Sequence, residues 1–440
     1  MSSLDKIPEG KKKVLTNVLW AVSGKCVSLL SVLVVGIIVA RYLGKELYGT
    51  MNYVISFVAI FQVFADFGLD FIQVREESKS PHLRDKIVGT TFLLKLLFAS
   101  ITLVAILVTT FLCESDGSTR LYILIYALSV LLNTTWVARN HFTSIVWNEY
   151  VVKTEITRTI VGVLIKVSFV QLHLPLIYFI LSLVIDSLLL ASGYILSYQR
   201  KIDTVKKWTF DRQTAKYMVQ QSFPLLLSGA AIIVYNRIDQ IMIGNMIDKS
   251  ELGIYSVAVR FAELLVFVPT IISQTVSPVL VAAREESEEK YNRLSRVFMN
   301  VTVSICIIIG VATSLLAYPI VYVTFGPTYI AAASVLSVLG FKIVGDALSQ
   351  TSGQMIIVEG KQKYASVRNL IGCAVCVGLN FVLIESYGIQ GAAWVSIVTI
   401  LTSGTLANLI IPSYRKIFRK QIQSIFFGWK DMLNLKTLLR

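Results

Sequence analysis

The chain has 440 residues, 55% hydrophobic and only 15% charged, with 41 Lys and Arg against 27 Asp and Glu and a net charge of +14. Soluble domains carry about 25% charged residues, so with a mean hydropathy of +0.68 this composition excludes an ordinary soluble domain and indicates a polytopic membrane protein. The positive balance does not point to nucleic acid, because the basic residues collect in short loops beside apolar runs.

The polar start holds Lys6, Lys11, Lys12 and Lys13 and leads into an apolar run from Val14 to Ala40. That run is too long for a signal-peptide core and has no small-residue cleavage site at its end, so no cleavable signal peptide is expected. Apolar runs of spanning length, separated by polar breaks, predict twelve transmembrane helices. Spans 1 to 6 fall near 16–40, 48–71, 87–112, 120–140, 152–172 and 175–198. Spans 7 to 12 fall near 220–246, 252–278, 297–321, 329–356, 365–385 and 390–412. Pro224 in span 7 and Pro269 and Pro278 in span 8 mark places where a helix can bend. The Cys373-x-x-Cys376 pair lies mid-span with no His nearby and reads as two small buried hydrophobes, not a metal or redox site.

The loops on one side hold nearly all the basic residues, while the other side holds Arg41, Lys45, Arg120 and Lys249. This bias predicts cytoplasmic N and C termini, which an even span count satisfies. The basic segment 199–219 divides the spans into an N-terminal six-helix lobe (1–198) and a C-terminal one (220–412), followed by a basic cytoplasmic tail (413–440). A short internal echo supports two copies. Leu43-Gly-Lys-Glu-Leu-Tyr-Gly49 follows span 1 and Ile247-Asp-Lys-Ser-Glu-Leu-Gly253 follows span 7. With six spans in each, the copies share an orientation and are expected to be related by a pseudo-two-fold axis along the membrane normal.

Seven basic residues interrupt the spans: Lys25, Lys95, Arg158, Lys166, Arg237, Arg260 and Lys342. Each costs on the order of 3 kcal/mol at a helix centre on insertion scales, so such residues face a bundle interior or a watery cavity. A cationic cavity within a membrane suits anionic cargo. Competing readings stay open for several of them. Lys95 and Arg158 lie close enough to the inner face to snorkel, whereas Arg260 with Glu263 and Lys342 with Asp346 have the spacing of neutralised intrahelical pairs. Lys25, Lys166 and Arg237 are deeper and are expected to line a cavity between the lobes. Asp186, Asp239 and the i,i+4 pair Asp66 and Asp70 are the carboxylates placed to carry a coupling ion, or else to neutralise a Lys or Arg on another helix.

The sequence resembles the polysaccharide-transporter branch of the multidrug/oligosaccharidyl-lipid/polysaccharide exporter superfamily, the Wzx-type O-antigen flippases. The likeness runs along essentially the whole chain. It rests on Arg41-Tyr-Leu-Gly44 with Tyr48-Gly49, on Asn236-Arg-Ile-Asp239-Gln-Ile-Met-Ile-Gly244, on Gly253-Ile-Tyr-Ser256 and on Tyr387-Gly-Ile-Gln-Gly-Ala-Ala393. It implies an all-α, MATE-like fold of two lobes around a cationic cavity. It also implies a cargo, an undecaprenyl-pyrophosphate-linked oligosaccharide, flipped from the cytoplasmic to the periplasmic leaflet of the bacterial inner membrane. A polysaccharide polymerase and chain-length machinery are the implied protein partners, with no cofactor and no catalysis. Two other classes compete. An H⁺- or Na⁺-coupled multidrug exporter calls for an acidic, aromatic cavity, which the excess of Lys and Arg opposes. A membrane glycosyltransferase or polymerase needs a larger outer domain than these short loops provide, and no nucleotide-binding motif is present.

Overall fold

In the computed structural model of the protein, the backbone is described for residues 9–433 and side chains for residue 31 and residues 33–431. Among the described residues every regular element is helical. Nine helical stretches among the described residues are long and apolar enough to cross a membrane. Two of them, Leu33–Lys79 and Gln362–Ile410, each contain parts of two spans turned at a glycine. Asn148–Gln171 falls outside the nine because Glu155, Arg158 and Lys166 dilute its hydropathy, and it accounts for span 5. The protein is an all-α polytopic membrane protein, and its helices correspond to the twelve spans read from the sequence.

The breaks follow from backbone chemistry. Gly44 sits at φ 71° and ψ 174° between spans 1 and 2, and Gly388 at φ 57° and ψ −141° between spans 11 and 12. A side chain is strained in that region, so glycine can reverse the chain there with almost no loop. Span 8 is two helices, Lys249–Leu265 and Phe267–Glu286. Pro269, three residues into the second, lacks an N–H, and its ring crowds the carbonyl of Leu265 where the first helix ends. Pro278 lies inside the second helix and Pro224 inside Arg212–Met246, where neither ends the helix.

The chain divides into two compact units, one of residues 1–43 and 54–230, the other of residues 44–53 and 231–440. The sequence suggests a boundary at 199–219. That segment instead makes a helical turn at Val205–Lys207 and begins the long helix Arg212–Met246, so the division falls inside span 7. The buried core of the first unit includes Leu69, Ile72, Ile87, Leu94 and Met218. That of the second includes Met299, Val303, Ile343, Ala347, Leu348, Met355, Tyr414 and Ile417.

The internal echo has a spatial counterpart within the second unit. A Cβ on Gly49 would lie 1.7 Å from the Lys249 carbonyl oxygen, and one on Gly253 would lie 1.9 Å from the Lys45 carbonyl oxygen. The two repeat segments cross backbone to backbone, each glycine against the other's first turn. In lipid, where burial of apolar surface does little to join helices, close approach through small residues supplies the packing. Where a basic tail is expected after residue 412, the chain forms the helix Arg415–Leu433. Its inner face meets span 9, with Lys420 Nζ donating to Asn292 and Ser295 at 2.9 Å.

Candidate functional site

In the first unit Asp66 ends one helix, the backbone breaks at Phe67 (φ 50°) and Gly68 (φ 70°), and Asp70, Gln73 and Glu77, at spacings of three and four, share one face of the next helix, Leu69–Lys79. Span 3 brings Lys95 onto that face. Its ammonium lies 2.5 Å from Asp70 Oδ1 and 3.2 Å from Asp66 Oδ1, and the lysine side chain is 1% exposed. The snorkelling reading of Lys95 is therefore incorrect. Two carboxylates inside the bundle outweigh a head group reaching for the interface. The stripe continues through span 4. Asn140 Nδ2 donates to Asp70 at 2.6 Å and to Gln73 Oε1 at 3.1 Å, and Gln73 Nε2 donates to Glu77 at 2.7 Å. Glu77 Oε2 meets His141 Nδ1 at 2.5 Å. The result is a polar chain from Asp66 to His141, half-buried at Asp66 and Asp70 and buried at Lys95, Gln73, Glu77, Asn140 and His141.

Spans 5 and 6 make a second pair. Lys166 Nζ contacts Asp186 Oδ2 at 2.6 Å, while Asp186 Oδ1 is buried without a hydrogen-bond partner among the described residues. A Cβ on Gly162 would sit 2.4 Å from Asp186 Oδ1, so glycine makes room for the carboxylate. Glu155, the one acid close to Arg158 in sequence, is occupied by Arg139 at 3.6 Å and by the Tyr194 hydroxyl at 3.2 Å. Arg158 Nε is buried with no hydrogen-bond partner among the described residues. Lys25 lies outside the residues whose side chains are described.

In the second unit Arg237 of span 7 reaches Glu263 of span 8 at 3.1 Å. Arg260, beside that glutamate, also faces Tyr48. Asp239 is 4% exposed and accepts from the Tyr255 hydroxyl at 2.5 Å, the Gln240 amide at 2.8 Å and the Ser396 hydroxyl at 3.4 Å. Lys342 stands within electrostatic reach of both Asp239 and Asp346. Among the described residues Asp346 Oδ2 has no hydrogen-bond partner, so the expected intrahelical pair is a through-space one.

The structure thus gives Lys95, Lys166 and Arg237 carboxylate partners on neighbouring helices, the pairing that the sequence left open as the alternative to a coupling-ion role for the carboxylates. It also exposes residues that the sequence reading passed over. Arg368, near the start of span 11 and outside the seven cations singled out, is 8% exposed and donates to Ser352 at 3.3 Å and to Ser349 and Asn408 at 3.4 Å, all neutral groups. The Gln73–Glu77–His141 extension was detectable as a polar stripe at helical spacing, but nothing local in the sequence marks Arg368 as buried.

Comparison with known proteins places this arrangement. Residues 14–283 match the family model described as Polysaccharide biosynthesis protein, and residues 224–382 match the model MatE. The chain belongs to the polysaccharide biosynthesis protein family. A curated relative, the Probable low-salt glycan biosynthesis flippase Agl15 of Haloferax volcanii, is 22% identical over 256 residues, covering 54% of this chain and 53% of that protein. The chain spans about half the length of this curated relative. Among solved structures, Lipid II flippase MurJ in an inward closed conformation superposes with a TM-score of 0.68 at 15% identity, over 96% of this chain and 97% of that one. An inward-facing multidrug resistance MATE transporter of the MOP superfamily gives 0.66 at 15% identity, over 93% and 96%. At such identities the likeness establishes the fold, which is MATE-like.

Proposed function

We propose that this member of the polysaccharide biosynthesis protein family is a flippase. Its cargo is an undecaprenyl-pyrophosphate-linked oligosaccharide, an O-antigen or similar surface-polysaccharide repeat unit. It moves the cargo from the cytoplasmic to the periplasmic leaflet of the inner membrane by alternating access, without chemistry on the sugar. The family match over residues 14–283 carries the reading. The charge inventory supports it, since a pyrophosphate needs Lys and Arg while the isoprenoid stays in lipid. The deep cations Lys25, Lys166 and Arg237 are the residues assigned to the cargo, together with Lys95, Arg158, Arg260 and Lys342 nearer the inner face or beside a carboxylate. Asp186, Asp239 and the Asp66/Asp70 pair, each facing a cation or a hydroxyl donor, are the candidates for an ion that drives the cycle.

The MatE match over residues 224–382 favours a second reading, an H⁺- or Na⁺-coupled multidrug exporter. One experiment separates them. Proteoliposomes containing the purified protein are loaded with a fluorescent undecaprenyl-pyrophosphate oligosaccharide in one leaflet and, in parallel, with a cationic dye. Flipping of the lipid without dye transport supports the flippase; dye transport under an imposed H⁺ or Na⁺ gradient, with no lipid flipping, supports the exporter.

A further inference from the structure

The helix Arg415–Leu433 is not needed to complete the twelve spans, and its side chains fall on three distinct faces. Ile417, Gln421, Ser424 and Gly428 are buried at spacings of four, three and four and form the face that grips the second unit. Gln421 is the fixed point of that face. Its Nε2 donates to the Gly404 carbonyl at 2.8 Å and the Leu348 carbonyl at 3.1 Å, and its Oε1 accepts from Asn408 at 2.9 Å. A second face carries Ile422, Phe426 and Trp429, again at spacings of four and three, exposed by 36%, 65% and 52%. The third, next to it, carries exposed Lys416, Arg419 and Lys430. Lys430 Nζ lies 5.4 Å from the Phe427 ring and 5.7 Å from the Trp429 ring.

We propose that this helix lies along the bilayer surface on the side of the basic loops and binds acidic phospholipid head groups. The aromatic face enters the acyl boundary while Lys416, Arg419 and Lys430 meet the phosphates. Three features favour lipid as the occupant. The helix begins only a short turn, Pro412–Tyr414, after the membrane helix ends at Ile410, so the chain has no length in which to leave the surface. Its protein-facing side is already filled, which leaves an apolar edge beside a basic strip, the pattern of an interfacial helix. The exposed cations have the sign that acidic head groups attract. Only the assignment to the cytoplasmic leaflet rests on the orientation assumed for the proposed function.

Full-length protein is placed in nanodiscs of phosphatidylcholine alone or of phosphatidylcholine with phosphatidylglycerol, and amide exchange is followed by mass spectrometry. Exchange across 419–433 should slow in the acidic discs by about fivefold for each cation engaged, and high salt should remove the difference. In K416Q/R419Q/K430Q the two disc types should give the same exchange. That variant keeps the gripping face, so in phosphatidylcholine it should match wild type. Native mass spectra should show fewer retained phosphatidylglycerol molecules for the variant. Equal exchange of the wild type in both discs, or a difference that persists undiminished in the triple variant, overturns the proposal. If flipping fails while this lipid dependence holds, the proposed function falls and the lipid site stands.

Discussion

Replacing Lys95 by Met should leave two carboxylates facing each other in the first unit with no cation between them. At contact distances of 2.5 and 3.2 Å and an effective dielectric near 20, each attraction is about 5–7 kcal/mol. Dehydrating the lysine and the mutual repulsion of Asp66 and Asp70 offset much of this. Removing one partner from a buried ion cluster costs about 3–5 kcal/mol, because the remaining charges are left uncompensated. K95M is therefore expected to lower the thermal midpoint in detergent by about 3–5 °C for a chain of 440 residues. D66N alone should cost less, since Asp70 stays 2.5 Å from the ammonium. D70N should cost more, because Asp70 also accepts from Asn140 at 2.6 Å. The triple variant K95M/D66N/D70N should recover most of the loss, as none of the three charges of the cluster remains. Intrinsic fluorescence unfolding of the four variants provides the cycle. If K95M unfolds at the wild-type temperature, or the triple variant is no more stable than K95M, the buried-cluster account is wrong.

Other outcomes follow from the same reasoning. Lys166→Ala and Asp186→Asn should each impair surface-polysaccharide export in a deletion strain while the protein still inserts, and full export by both would remove this pair from the cargo and coupling assignments. Arg237→Lys should fail to restore full export if the guanidinium grips phosphate through two donors, since an ammonium cannot; wild-type export would refute that geometry. Gly49→Ala and Gly253→Ala should each sharply reduce the amount of folded protein in detergent, because a Cβ meets a backbone carbonyl oxygen at 1.7 or 1.9 Å and no rotamer relieves it; normal yield of either would disprove the tight crossing. The Thr214 hydroxyl and amide hydrogen bonds, together with Lys86, hold the Asp211 carboxyl at about 2, so in the free chain it titrates near its ordinary value of about 3.9. Its cap on the helix at Arg212 should be fully present above about pH 4 and lost as pH falls through about 2, which exchange at the Thr214 amide reports; protection lost already near neutral pH would contradict it.

The membrane class, the twelve spans and their breaks were legible in the sequence because they depend on local quantities. A run of apolar residues of bilayer length has to be a helix, since no water is available to its backbone. Gly44, Gly388 and Pro269 act through their own φ, or through a missing N–H, wherever they stand. The echo around Gly49 and Gly253 was likewise visible as a repeat. The fate of each charge was not, because it depends on which helix lies opposite. Lys95 finds Asp66 and Asp70 29 and 25 positions away in the chain, and Lys166 finds Asp186 on the next span. Arg237 takes Glu263 on span 8, although Asp239 lies nearer to it in sequence. Arg368, near the start of span 11, could not be told from a cation reaching the interface until helix packing closed over it. The final basic segment also gave no local sign that Gln421 would dock it on Leu348, Gly404 and Asn408. Sequence alone determined that the membrane must accommodate several cations; the tertiary structure added Arg368 to them and decided which are neutralised, because a Coulomb partner is chosen by distance in space and not along the chain.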